Sequence, residues 1–230
     1  MVNTKSNDSK LFVISIAEFL KIPGNPIAYW IKDVSVFSFP ALGIGYESGG
    51  RTKTHNNEKY VRNWWEISNN EKWISFANGG DFRKWYGNDY DVVNWSEEAK
   101  KEYASHGGLY NEKYWGKKGI CWNLITSYKN SFRLKQSIQH FSSGSPTIIS
   151  GDDKQDILRL AFLNTDVAAY LLKMINPTLN TTVSDVLNLP FSVGESSEKV
   201  QLLTEEAISI SNEDWDLFED SNNFKKHPLL

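Results

Sequence analysis

The run DDKQDILRLAFLNTDVAAYLLKMI, residues 152–175, constrains this chain more than any other stretch. It is apolar on nearly every side, so a helix formed there has to be covered by other elements. Asn164-Thr165-Asp166 divides it: Asn164 can close one helix, and Thr165 or Asp166 can cap the next. Asn164, Asp166 and Lys173 also interrupt the apolar part, which argues against a membrane span. The cover has to come from the flanking sequence. Upstream, YVRNWWEI, KWISF, YDVVNW and GICWNLIT are short and rich in aromatic and β-branched residues, and they read as strands. Among them EEAKKEYASH reads as a short exposed helix with Ser96 as its N-cap. Downstream, TTVSDVLNLPF ends at Pro190, a Gly194-Glu-Ser-Ser linker follows, and KVQLLTEEAISI is a last helix before the acidic WDLFEDSNNFKKHPLL.

Strands lead and helices follow, so the expected class is α+β: a mixed or antiparallel sheet with helices packed in the C-terminal half. Residues 1–66 are expected to form a connecting segment packed on the main domain, with the first ten unstructured. The main domain is expected over 67–193, and a C-terminal helix with an acidic tail over 194–230.

Several chemistries are argued against. The lone Cys121, between Ile120 and Trp122, rules out an internal disulfide framework and reads as a small buried hydrophobe. Residues 1–10 are polar and carry no signal-peptide core, so a soluble, cytoplasmic protein is expected. His55, His106, His140 and His227 lie far apart, with no metal-ligand spacing. No Gly-x-Ser-x-Gly elbow is present, and Asp152-Asp153 is explained by a helix N-terminus. PALGIG, residues 40–45, has the Gly-x-Gly of a methyltransferase cofactor turn, which by itself is a weak signal. The matching Asn-Pro-Pro-aromatic motif is absent, since Asn25-Pro26 leads to Ile-Ala and Asn176-Pro177 to Thr-Leu.

GGDFRKWYGNDYDVVNW, residues 79–95, sets five rings around Arg83-Lys84 and carries three glycines. With nine Trp, ten Tyr and twelve Phe in the chain, some rings are available for a surface as well as a core. Charge is segregated too: residues 51–135 carry 15 Lys+Arg against 10 Asp+Glu, and residues 136–230 carry 6 against 14. Two readings stand. The segment is a β-hairpin whose rings pack a core, or it meets nucleic acid, with glycines allowing close approach and rings stacking where bases are displaced. RTKTHNNEKYVR and NEKYWGKKG share the second composition.

FLKIPGNPIAYWI, GRTKTHNNEKYVRNWWEI, KWISFANGGDFRKWYGNDYDVVNW, AFLNTDVAAYLLKMINPTLN and WDLFEDSNNFKKHPLL occur in this order. From Phe19 to Leu230 the chain resembles the region C-terminal to the catalytic domain in the PglX family, adenine-specific (N6) DNA methyltransferases of BREX phage-defence systems. The resemblance implies a DNA target-recognition part of such an enzyme, catalytically inert alone. Its Leu163-Asn164-Thr165 turn is similar to a leucine-asparagine-serine turn of target-recognition domains, with Thr in place of Ser. S-adenosylmethionine would belong to a catalytic domain outside this chain, and no cofactor is expected here. Double-stranded DNA and a catalytic domain or other defence proteins are the implied partners, with no membrane. Within that reading Arg51, Lys53, Arg62, Lys117 and Lys118 are expected on phosphates. Arg83, Lys84, Asn88 and Asn56 or Asn57 are expected at base edges, with Trp85 and Tyr86 bracing or stacking. All are expected to converge on one concave platform. The alternatives are a module docking on another defence component and a carbohydrate-binding module.

Overall fold

The computed structural model describes residues 15–27, 33–68, 71–127, 129–226 and 229. The expectation for residues 1–10 lies outside the described residues, as does His227. Seven short strands are described: β1 (Val61–Asn63), β2 (Trp73–Ala77), β3 (Asp91–Asn94), β4 (Gly119–Trp122), β5 (Phe132–Lys135), β6 (His140–Phe141) and β7 (Thr147–Ile148). The α-helices are α1 (Ile16–Phe19), α2 (Asn57–Tyr60), α3 (Glu97–Ser105), α4 (Asp153–Leu163), α5 (Asp166–Ile175), α6 (Val183–Leu187) and α7 (Ser197–Trp215).

Two sheets organise the chain, in the orders β1-β3-β2-β6 and β5-β4-β7. The first is mixed: β3 runs antiparallel to β1 and β2, with Val93 opposite both Val61 and Ile74, whereas β6 runs parallel to β2. The second is antiparallel, with Ile120 opposite Leu134 and Ile148. The class is therefore α+β with helices packed in the C-terminal half. Residues 41–66, read as a connecting segment, supply β1 and bridge Ala41 to Pro190, Glu47 to Ile149 and Thr52 to Leu109.

Each sheet has its own core. On the first, Tyr60, Phe76 and Val93 meet Ala99 and Tyr103, one face of α3. Ser96 caps that helix through its hydroxyl, which accepts from the Ala99 N–H at 3.3 Å. On the second, Ile120, Trp122, Phe132 and Ile148 pack against Leu160 and Leu163 of α4, Leu171 and Leu172 of α5, and Val186 of α6. All four residues of β4 are buried, which suits a strand covered on both faces. Asn164 closes α4, and the Thr165 hydroxyl caps α5 by accepting from the Ala168 N–H at 3.1 Å. Cys121 is buried, as its neighbours imply.

His140 on β6 is packed at 4.2 Å from Trp95 and 5.4 Å from Trp115, ring centre to ring centre, and its Nδ1 has no hydrogen-bond partner among the described residues. Burial, reinforced by the charge of Lys135, holds its pKa down to about 4. A base whose folded pKa is depressed contributes stability above its unfolded pKa, and that stability is lost as pH falls towards the folded value. Urea melts are therefore expected to show wild type losing about 2–3 kcal/mol relative to His140→Phe between pH 7 and pH 4. Parallel pH profiles for the two proteins would contradict this.

Candidate nucleic-acid interface

Most of the segment 79–95 is half-buried or buried, with Gly80, Asp81 and the ring of Phe82 exposed. Gly79, Gly80 and Gly87 all have positive φ, 101°, 117° and 116°. A Cβ on Gly80 would lie 2.7 Å from the Asn88 side chain, and one on Gly87 would lie 2.8 Å from Arg83. These glycines therefore serve the loop's own conformation and packing. Trp85, at φ 71°, adds one rung to the second sheet: its N–H donates to the Phe132 carbonyl at 2.9 Å, and its carbonyl accepts from Leu134 at 3.0 Å. Its ring packs against the second core. Tyr86 donates to Asp89 at 3.2 Å, and burial pushes both its phenol and the Asp89 carboxyl up from their ordinary ranges.

The polar groups read as base contacts in this segment are committed internally. The Arg83 guanidinium lies 2.9 Å from Asp214 and over the rings of Trp215 and Phe218, at 4.7 Å and 5.4 Å. Lys84 donates to the Asn164 carbonyl at 2.7 Å. Asn88, 5% exposed, donates to the Asp81 carbonyl at 2.7 Å. The acidic C-terminal part thus neutralises an arginine of the basic half.

Asn164 ties these threads together. Its amide donates to the Phe132 carbonyl at 2.9 Å and accepts from the Phe132 N–H at 3.1 Å. The Phe132 carbonyl accordingly accepts from both Trp85 and Asn164. The Leu163-Asn164-Thr165 turn, the 79–95 segment and β5 form one hydrogen-bonded junction.

The other candidate residues lie outside this junction. Asn56 caps α2 by accepting from the Lys59 N–H at 3.0 Å, and Asn57 accepts from the Thr54 hydroxyl at 2.5 Å. Arg62 donates to the carbonyls of Glu58 and Val61, at 2.5 Å and 2.6 Å. Lys118 pairs with Asp153 at 2.6 Å. Arg51, Lys53 and Lys117 are exposed, and among the described residues no carboxylate lies within ion-pair distance of any of the three.

Arg51 and Lys53 share an edge with Tyr110. Thr52 bridges Leu109, the Lys53 N–H donates to the Gly108 carbonyl at 2.7 Å, and the Arg51 guanidinium lies 4.3 Å from the centre of the Tyr110 ring. Arg51 first and Lys53 in addition draw the exposed Tyr110 phenol below its ordinary pKa. Beside this pair opens a cleft of about 420 Å³ with apolar walls from Leu124, Phe141, Pro146 and Val183. Ser143 also lines it, and the Ser143 hydroxyl is buried without a hydrogen-bond partner among the described residues.

Tyr110, Ser143 and this cleft were not legible in the sequence, because the residues that line it with Arg51 come from segments up to 132 residues further on. The one local signal is Gly107-Gly108-Leu109-Tyr110, a ring set directly after a glycine pair. PALGIG does not fit an S-adenosylmethionine cradle. A Cβ on Gly43 would lie 2.9 Å from Leu187, and the Gly43 N–H donates to the Leu187 carbonyl at 2.9 Å, so this turn packs on the end of α6. Among the described residues no group of three or more His, Cys, Asp or Glu could hold a metal ion, and no helix is long and apolar enough to cross a membrane.

No family model matches the chain. It is similar to the adenine-specific methyltransferase PglX of Lacticaseibacillus casei (strain Zhang), 33% identical over 239 residues, which cover 92% of this chain and 20% of that protein. It is also similar to the adenine-specific methyltransferase BrxX of Escherichia coli O9:H4 (strain HS), 31% identical over 227 residues, covering 93% of this chain and 18% of that protein. The chain spans about a fifth of the length of these curated relatives. The resemblance drawn from the serial motifs is borne out along nearly the whole chain.

Proposed function

We propose that this chain is a DNA target-recognition part of an adenine-specific (N6) DNA methyltransferase of a phage-defence system, without methyl-transfer activity by itself. The similarity to PglX and BrxX supports the enzyme class, and the missing Asn-Pro-Pro-aromatic motif supports the division of labour. The observation that carries the DNA reading is the edge formed by Arg51, Lys53 and Tyr110, where two cations without carboxylate partners among the described residues flank an exposed ring. Such cations neutralise phosphates and release counterions, and they fix register on the duplex. Lys117 extends the set. Arg83, Lys84 and Asn88 serve this reading indirectly, by bracing the loop that joins the two sheets. The methyl donor and a catalytic domain would come from outside this chain.

Fluorescence anisotropy with a labelled duplex tests the proposal. Binding is expected to weaken as salt rises, and Arg51→Ala/Lys53→Ala is expected to lower the slope of log affinity against log salt by about 2. Arg83→Ala is expected to lower stability and leave that slope unchanged. A double variant that binds like wild type across the salt range would remove the proposal.

A second reading, a module that docks on another protein, is favoured by one observation. Helix α7 exposes Val200, Leu203 and Ile210 along a single stripe. Pull-down before and after nuclease treatment separates the two readings, since an association bridged by DNA disappears on digestion.

A further inference from the structure

We propose that the cleft beside Arg51 and Tyr110 binds a single unpaired nucleobase of DNA, held against the Arg51–Tyr110 pair. The inference rests on the DNA reading above for the source of the base. Three independent features carry it. First, the guanidinium stacked on a ring at 4.3 Å offers a flat, cationic surface against which a base can stack, with an adjoining phosphate near the charge. Second, the walls contributed by Leu124, Phe141, Pro146 and Val183 suit the apolar faces of a base, and about 420 Å³ admits a nucleoside but no duplex. Third, Ser143 lines this wall, and its buried hydroxyl lacks a hydrogen-bond partner among the described residues. A buried hydroxyl left unpaired is costly, and a turn of the Ser143 side chain towards the cleft would let the edge of a base, which offers donors and acceptors, satisfy it. The combination fits a base better than a sugar, because the guanidinium beside the ring also answers the negative charge that every nucleotide carries.

The test compares a labelled duplex with the same duplex carrying one unpaired adenine, by anisotropy at constant low salt. Wild type is expected to bind the bulged duplex at least about fivefold more tightly, the lower end of what one base stacked on a ring contributes. Tyr110→Ala is expected to abolish that preference, so that the bulged and the paired duplex bind with equal affinity. Tyr110→Phe is expected to keep the preference. Arg51→Gln, at an exposed position, provides a second variant should Tyr110→Ala fail to fold, and it is expected to weaken the preference as well as general affinity. Equal binding of the two duplexes by wild type overturns this inference and leaves the DNA reading standing. A preference that survives both Tyr110→Ala and Arg51→Gln overturns it too. Failure to bind either duplex overturns both.

Discussion

Asn164→Ala is expected to lower the unfolding free energy by about 2–4 kcal/mol and Tm by roughly 5–15 °C. Asn164 is 7% exposed, and its amide is paired in both directions with the backbone of Phe132. Alanine would leave the Phe132 N–H buried with no acceptor, and an orphaned buried donor costs about 1–3 kcal/mol. The Phe132 carbonyl would keep its bond from Trp85, so the donor is the larger loss. The cavity left by the amide adds to it. Thr165→Ala is the internal comparison, since it removes the cap of α5 and the exposed bond from the Thr165 hydroxyl to the Phe162 carbonyl without orphaning a buried donor, and is expected to cost about 1 kcal/mol. Equal losses in the two variants, measured by urea denaturation, would show that the Asn164 side chain does nothing beyond ending a helix.

Lys135→Met is expected to cost about 3 kcal/mol or more. Lys135 is 1% exposed, and its ammonium donates to the carbonyls of Lys117, Gln136 and Gln139 at 2.7, 2.9 and 2.7 Å. Burial pulls its pKa down to about 8, still above neutrality, so the group is charged at pH 7 with all three protons used. Methionine fills a similar volume but offers no proton. Three carbonyls that turn the 136–139 loop towards residue 117 would lose their common donor. Melting at wild-type temperature would mean that these carbonyls find other donors, and that the charge was carried at no benefit.

The pattern of the sequence conveyed the helices well because their determinants are local. The break at Asn164, the Thr165 cap and the Ser96 cap depend on neighbours within four residues, and all three stand as read. The strands containing Val61, Ile74, Val92 and Ile120 were legible through their β-branched and aromatic content. FRLK, residues 132–135, was not read as a strand, since its cations normally mark a surface. Arg133 and Lys135 are 2% and 1% exposed instead, each satisfied by acceptors brought from elsewhere. The same limit applies to residues 79–95. Their composition reports rings, charges and glycines, but not that the counter-ion of Arg83 stands 131 positions later at Asp214. Charge segregation between the halves of the chain is legible in the sequence, but not how the halves meet. In the fold, Asp214 of the acidic half pairs directly with Arg83 of the basic half.

The double-acceptor carbonyl of Phe132 bears on how such proteins can be re-engineered. A segment grafted in place of residues 79–95 would arrive without the asparagine and aspartate that receive Lys84 and Arg83 here. Cassettes cut at the visible ends of that loop should misassemble, whereas exchanges that carry residues 79–95, 132–135, 164 and 214 together should remain interchangeable.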